Sequence, residues 1–164
     1  MIVNNKRRRI YLAVVLVMIL ATLTVIFGSS LNSQEKSASQ SGAVVEVVKP
    51  IVDSQNKIPE DRFEYYIRKL GHFSEFFILA LELCFLYGII KGKNPVIGKM
   101  LPILFAVLLC AVIDETIQIY SGRGSSLKDV WIDTGGGVFA MTLFLAVNKI
   151  SQIIKPQKTE TDER

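Results

Sequence analysis

Cysteine is scarce: Cys84 and Cys110 are the only two in 164 residues, and both lie inside apolar runs. That excludes a disulfide-stapled scaffold and reads both as inert small hydrophobes. Histidine is scarcer still, with His72 alone. One imidazole with no HExxH pattern and no cysteine cluster leaves neither a metal nor a cofactor expected. Charge is thin at 21% of residues, and the net excess of +4 does not gather into a patch with interleaved aromatics. Nucleic acid is therefore not expected as a partner. Intrinsic disorder, a collagen-like repeat and a coiled coil are excluded by the same composition, and no internal repeat is evident.

What is present is apolar sequence in blocks. Half the residues are apolar and the mean hydropathy is +0.37. The blocks cover residues 10–27, 73–90, 100–119 and 130–147. Each is close to the roughly 20 residues that cross a ~30 Å hydrocarbon core. The expected fold is an all-α integral membrane protein with four transmembrane helices in a small bundle and both termini cytoplasmic. The expected segments are a basic start and first span (1–28), an extracytoplasmic linker with a short amphipathic segment (29–64), a three-helix core (65–150) and a charged tail (151–164).

The first block follows Lys6-Arg7-Arg8-Arg9 and precedes Gly28-Ser29-Ser30, which would also suit a cleaved secretory signal. Its eighteen uncharged residues exceed the ~7–15 of a typical signal core, so a retained anchor is expected. Direction follows from the positive-inside rule. The amino-terminal cluster, the lysines of the 91–99 loop and Lys149, Lys155 and Lys158 fall on one face of a four-span chain, which is then cytoplasmic. The opposite face receives the net acidic stretch 28–66 and the turn around Arg123. Within that stretch, residues 29–42 are Ser/Gln-rich and read as a flexible linker. Val44, Val45, Val47, Val48, Ile51 and Val52 form a cluster too short to cross, expected as a short helix lying either on the outer leaflet or over the bundle. Pro59 with Glu60-Asp61 marks a helix start that continues into the second span.

The spans are not uniformly apolar. With about 100° per residue, Lys69, Arg68, Glu75 and Glu82 lie within about 80° of His72 on one side of the second span. Asp114, Glu115 and Gln118 share a face of the third within about 100°, and Asp129, Asp133, Gly136 and Ala140 share one of the fourth within about 60°. An Asp or Lys at a helix centre costs ~2.5–3.5 kcal/mol on insertion scales, so these faces are expected to turn inward around a shared pocket. Lys69–Glu75 and Arg123–Asp129 are the expected ion pairs. Each residue also has a structural role open to it. Asp129 stands three positions after Ser126 as in a capping box, Gly135-Gly136-Gly137 suit close packing as well as ligand contact, and Arg68 and Lys69 suit snorkelling.

Lys69-Leu70-Gly71-His72-Phe73-Ser74-Glu75-Phe76 resembles the KxxHFxEY element of the VanZ-like membrane protein family. Asp114-Glu115-Thr116-Ile117-Gln118, Gly122-Arg123-Gly124-Ser125 and Lys128-Asp129-Val130-Trp131-Ile132-Asp133-Thr134-Gly135-Gly136 are similar to its DExxQ, GRxxSxxD and (D/N)TxG elements, in the same order and spacing. Phe76 stands for the usual tyrosine, Ser121 for a common proline and Ala140 for a common glycine. The resemblance implies a role linked to resistance to teicoplanin, a lipid-tailed glycopeptide antibiotic. Carried position by position, its motif falls on Lys69, His72, Glu75, Asp114, Glu115, Gln118, Arg123, Asp129 and Asp133.

Three functions fit these residues. The first is a plasma-membrane binding factor whose extracytoplasmic pocket takes the head group of a membrane lipid, a lipid-linked cell-wall precursor or a lipoglycopeptide. Lys69, Gln118, Arg123, Lys128 and Asp129 are its candidate ligands, the anion being favoured by the fourth helix's free N–H groups. The second is a membrane enzyme using His72 with Glu75, Asp114, Glu115 or Asp133 as acid and base, though no clear nucleophile accompanies them. The third, a proton-coupled carrier through Glu82, lacks a repeat and a continued polar path. Oligomeric state is not encoded in any visible pattern.

Overall fold

The computed structural model of the chain describes residues 5–91 and 100–154. It contains five helices and, among the described residues, no strand: α1 (Asn5–Ser30), α2 (Gln34–Val52), α3 (Glu60–Lys91), α4 (Leu101–Tyr120) and α5 (Leu127–Ile154). Four of them, α1, α3, α4 and α5, are long and apolar enough to cross a membrane. The protein is an all-α integral membrane protein. Lys93, Lys99, Lys155 and Lys158, used above to orient the chain, lie outside the described residues, as does most of the charged tail.

The helices are apolar around much of their circumference, so burial against one another cannot satisfy all of their surface. Val14, Val17 and Leu20 of α1, Phe105 of α4 and Phe139 of α5 all remain exposed. A contiguous apolar exterior of this kind belongs in lipid. Only a narrow stripe of each helix meets its neighbours. Phe76, Leu79, Ala80 and Cys84 of α3 pack with Ile103, Val107 and Ala111 of α4, Ala140 and Met141 of α5, and Ile19 and Ile26 of α1.

α3 is the central element, and its longest interface is with α5. Small residues make that interface close. A Cβ on Gly136 would run into the Phe73 carbonyl oxygen, and one on Gly137 would lie 2.6 Å from Val107 Cγ1. These two glycines are therefore packing residues between helices, whereas Gly135 faces open space. Below them, Phe73 and Phe77 both tilt against Phe139, and Phe85 meets Phe144 edge to face.

The expected flexible linker at 29–42 is instead mostly helix. Ser29 and Ser30 complete α1, and Ser33 caps α2 by accepting the Lys36 N–H. Serine is an unremarkable helix former but a strong N-cap, so one well-placed hydroxyl starts a helix in a stretch whose composition reads as coil. The apolar cluster at 44–52 is the second half of this helix. Val45 is buried on the α3 side, while Val44, Val47, Ile51 and Val52 stay exposed. Asp53 closes α2, its carboxylate accepting the Lys57 and Ile58 N–H groups at 2.9 and 2.8 Å. The helix start expected near Pro59 is present, since α3 begins at Glu60 and the Phe63 N–H donates to the Pro59 carbonyl.

Arg8 ties α1 to the far end of α3, donating to the Ile89 and Ile90 carbonyls at 3.2 Å each. Those are carbonyls that the last helical turn leaves without partners.

Candidate functional site

The polar residues of α3, α4 and α5 meet at the opposite end of the bundle from Arg8. Because α4 runs antiparallel to both α3 and α5, the C-terminal half of α4 lies level with the N-terminal halves of the other two. His72, Asp114, Glu115, Gln118, Asp129, Asp133 and Thr134 are all buried there. The inward turn expected from the helical wheels is the observed one.

The charge pairing differs from expectation. Lys69 Nζ lies 2.5 Å from Asp129 Oδ2, both side chains being largely shielded, and sits 5.2 Å from the Tyr65 ring centre. Lys69 and Glu75 are six positions apart, about 120° around the helix, so they face different neighbours. Among the described residues neither Lys69–Glu75 nor Arg123–Asp129 forms. Arg123 donates instead to the Ser29 carbonyl at 3.1 Å, and Arg68 stands 3.9 Å from Glu64. Burial, then the nearby Arg68, lowers the pKa of the Arg123 guanidinium, which remains a cation.

The capping box is also rearranged. Ser126 caps α5 by accepting the Lys128 N–H at 3.2 Å. The reciprocal carboxylate is not Asp129 but Glu115 of α4, whose Oε2 accepts the Ser126 N–H at 3.0 Å. Asp129 is already committed to Lys69, and a residue from another helix takes the place of the one three positions on. Gly122 allows the chain to reach Ser126, with φ of 74° in the left-handed region.

Asp114 is fully buried and well held. Its Oδ1 accepts the Ser30 hydroxyl and its Oδ2 the Gln118 amide at 2.8 Å. Asp133 is equally buried, yet among the described residues neither of its oxygens has a hydrogen-bond donor. His72 Nδ1, also without a hydrogen-bond partner among the described residues, faces Asp114 Oδ2 at 3.8 Å and Asp133 Oδ1 and Glu75 Oε2 at 4.0 Å each. One ligand atom from each of His72, Asp114 and Asp133 lies within 4.8 Å of the others, so these three residues could hold a metal ion.

Beside this cluster is a cavity of about 230 Å³, its wall including Arg68, Lys69, His72, Gln118, Arg123 and Asp129. A second hollow of about 280 Å³ shares Arg68, His72 and Arg123 and adds Glu75 and Ser41. Lys128 is exposed and borders neither. Glu82 stands apart, buried and accepting the Thr22 hydroxyl at 2.9 Å.

Ser29, Ser30, Ser37, Ser41 and Ser121 were not marked by the sequence as site residues. Ser30 reaches Asp114, Ser41 donates to Glu64 at 2.8 Å, Ser121 donates to the Ser30 carbonyl at 2.8 Å, and Ser37 borders both cavities. The available signal was a serine-rich stretch next to a polar-faced bundle, which composition assigns to a linker.

The VanZ/LLP1 family profile matches residues 10–148, and the chain belongs to that family. The match takes in α1, which the geometry also joins to the cluster through Ser30. No curated protein and no solved structure matches the chain.

Proposed function

We propose that the protein is a plasma-membrane binding factor of a bacterial cell envelope. Its cavity takes the anionic head of a lipid-linked envelope component or a lipoglycopeptide and so contributes to teicoplanin-type resistance. One observation carries this reading: Arg123 borders the cavity, partly buried, with a neutral carbonyl as its hydrogen-bond partner and no carboxylate within ion-pair distance among the described residues. Asp114, Glu115 and Glu75 act on Arg123 only from beyond contact distance. A partly desolvated guanidinium with no carboxylate in direct contact is a strong site for a phosphate or carboxylate, which it grips in two parallel hydrogen bonds. Arg68 adds a second positive charge on the same wall. The positive-inside rule supports an extracytoplasmic mouth, because Arg7, Arg8 and Arg9 lie at the other end of α1 from Ser29.

The test is Arg123→Ala. Teicoplanin susceptibility should rise, and binding of the purified protein to nanodiscs containing lipid-linked phosphate should weaken at least about tenfold, with the amount in the membrane unchanged. Wild-type susceptibility and binding in that variant would overturn the reading.

The three carboxylates within 4.0 Å of His72 Nδ1 favour a second reading, acid–base chemistry on the bound head group. Among the described residues no serine or threonine hydroxyl hydrogen-bonds to His72 Nδ1, so water is the nucleophile this reading calls for. Product release from a labelled envelope lipid, lost in His72→Gln with binding retained, would favour it over binding alone.

A further inference from the structure

We infer that His72, Asp114 and Asp133 form a binding site for a divalent first-row metal ion of the Mn²⁺–Zn²⁺ class. The three residues come from three helices and converge on one point. Points equidistant from atoms 3.8–4.8 Å apart lie about 2.2–2.8 Å from each, against ~2.0–2.2 Å for zinc bonds and 2.3–2.6 Å for calcium. A closure of a few tenths of an ångström by side-chain rotation brings all three into bonding range.

Neither direct hydrogen bonding nor simple packing accounts for the cluster. Imidazole-to-carboxylate hydrogen bonds would need about 2.7–3.2 Å, and the separations here are 3.8 and 4.0 Å. Simple packing does not account for Asp133, a fully buried carboxylate whose oxygens have no donor among the described residues and which lies beside His72 and Asp114. Burying such a group without a partner is costly, and a cation at the centre removes that cost.

The surroundings are those of a metal site rather than a bare acidic cluster. Asp114 is oriented by hydrogen bonds from Ser30 and Gln118, as ligating carboxylates are in built sites. The donor set selects the ion. An imidazole disfavours Mg²⁺ and Ca²⁺, and two carboxylates with no thiolate disfavour Cu⁺ and iron–sulfur clusters. Glu75 stands 4.0 Å from His72 Nδ1 as a fourth group, directly or through water. His72 borders both cavities, so an ion here would have its open position toward a bound anion. That last role rests on the head-group reading; the ion site itself does not.

The test uses the metal alone. Full-length protein, purified through a tag without histidine and stripped with chelator, is titrated with Zn²⁺ and with Mn²⁺ in micelles. One ion per chain is expected. His72 is the sole histidine, so its imidazole NMR signals report the site directly; they should shift with Zn²⁺ and broaden with stoichiometric Mn²⁺. Asp133→Asn and His72→Gln should each weaken binding at least about tenfold, and Glu82→Gln, which alters a buried carboxylate elsewhere, should not. Absence of stoichiometric binding, or imidazole signals unmoved by a bound ion, would overturn the site. So would an Asp133→Asn variant that binds as tightly as the wild type. If that variant does not fold, the wild-type imidazole signals decide alone. Failure here with Arg123→Ala still impairing head-group binding would leave the proposed function standing.

Discussion

Ser30, the last residue of α1, donates its hydroxyl hydrogen to Asp114 in the middle of the polar cluster, 84 positions away in the chain. The bond makes the first helix part of the site rather than a detached anchor. Ser30→Ala should lower unfolding stability in micelles by about 1–2 kcal/mol, the range for a lost hydrogen bond to a buried carboxylate between membrane helices. Ser29→Ala, whose hydroxyl bonds only locally to the Ile26 carbonyl, should cost much less. Equal effects of the two substitutions would contradict the interhelical role.

Lys69 and Asp129 join α3 to the first turn of α5 at 2.5 Å with little exposure to solvent. Removing either partner alone leaves a shielded charge uncompensated. Lys69→Met or Asp129→Leu should each destabilise the protein by about 3 kcal/mol, and the two together by clearly less than the sum. A thermodynamic cycle on purified protein reads the coupling directly. Additive losses would mean that the pair does not interact.

Gly136 and Gly135 offer an adjacent comparison. Gly136→Ala drives a methyl group into the Phe73 carbonyl, a backbone atom that cannot swing aside, and should cost about 1–3 kcal/mol. Gly135→Ala meets open space and should be neutral or slightly stabilising, since alanine is the better helix former. Thermal unfolding of both variants under one set of conditions checks the difference.

Asp53 gives a pH dependence outside the membrane spans. Its pKa is lowered chiefly by the Ile58 N–H; burial opposes this, and the Lys57 N–H and the charges of Lys49 and Lys57 lower it further. A depressed folded-state pKa means stabilisation present above the unfolded value of ~3.9 and lost as pH falls through the lower folded value. Amide exchange at Lys57 and Ile58, corrected for intrinsic rate, should therefore show protection above about pH 4 that disappears in more acid solution. Asp53→Asn should remove the pH dependence of that protection.

The spans were legible because lipid imposes a demand on length and composition that any twenty-residue window reveals. The inward faces of α3, α4 and α5 were legible for a related reason: charge in hydrocarbon is costly, so its angular position on a helix predicts where the helix turns. Partners were less legible. Helical periodicity places Lys69, Asp129 and Arg123 on faces, but which opposite charge a face meets depends on helix rotation and offset. Those are set by close contacts such as Gly136 against Phe73. The valine cluster was legible as a short helix, but the first half of α2 was not, because the serine-rich composition of residues 29–42 reads as a linker while the Ser33 cap starts the helix there.

The amino-acid sequence alone determined four spans, a carboxylate- and cation-rich end of the bundle and membership of a family whose motifs lie at that end. Only the tertiary structure decided that Glu115 rather than Asp129 completes the cap of α5 and that α1 supplies Ser30 to Asp114. It alone also showed that Asp133 faces His72 with no donor among the described residues. The physical reason is one of range. Hydropathy and periodicity are properties of a single segment against its solvent, whereas hydrogen bonds and ion pairs form over about 3 Å between segments that packing alone brings together.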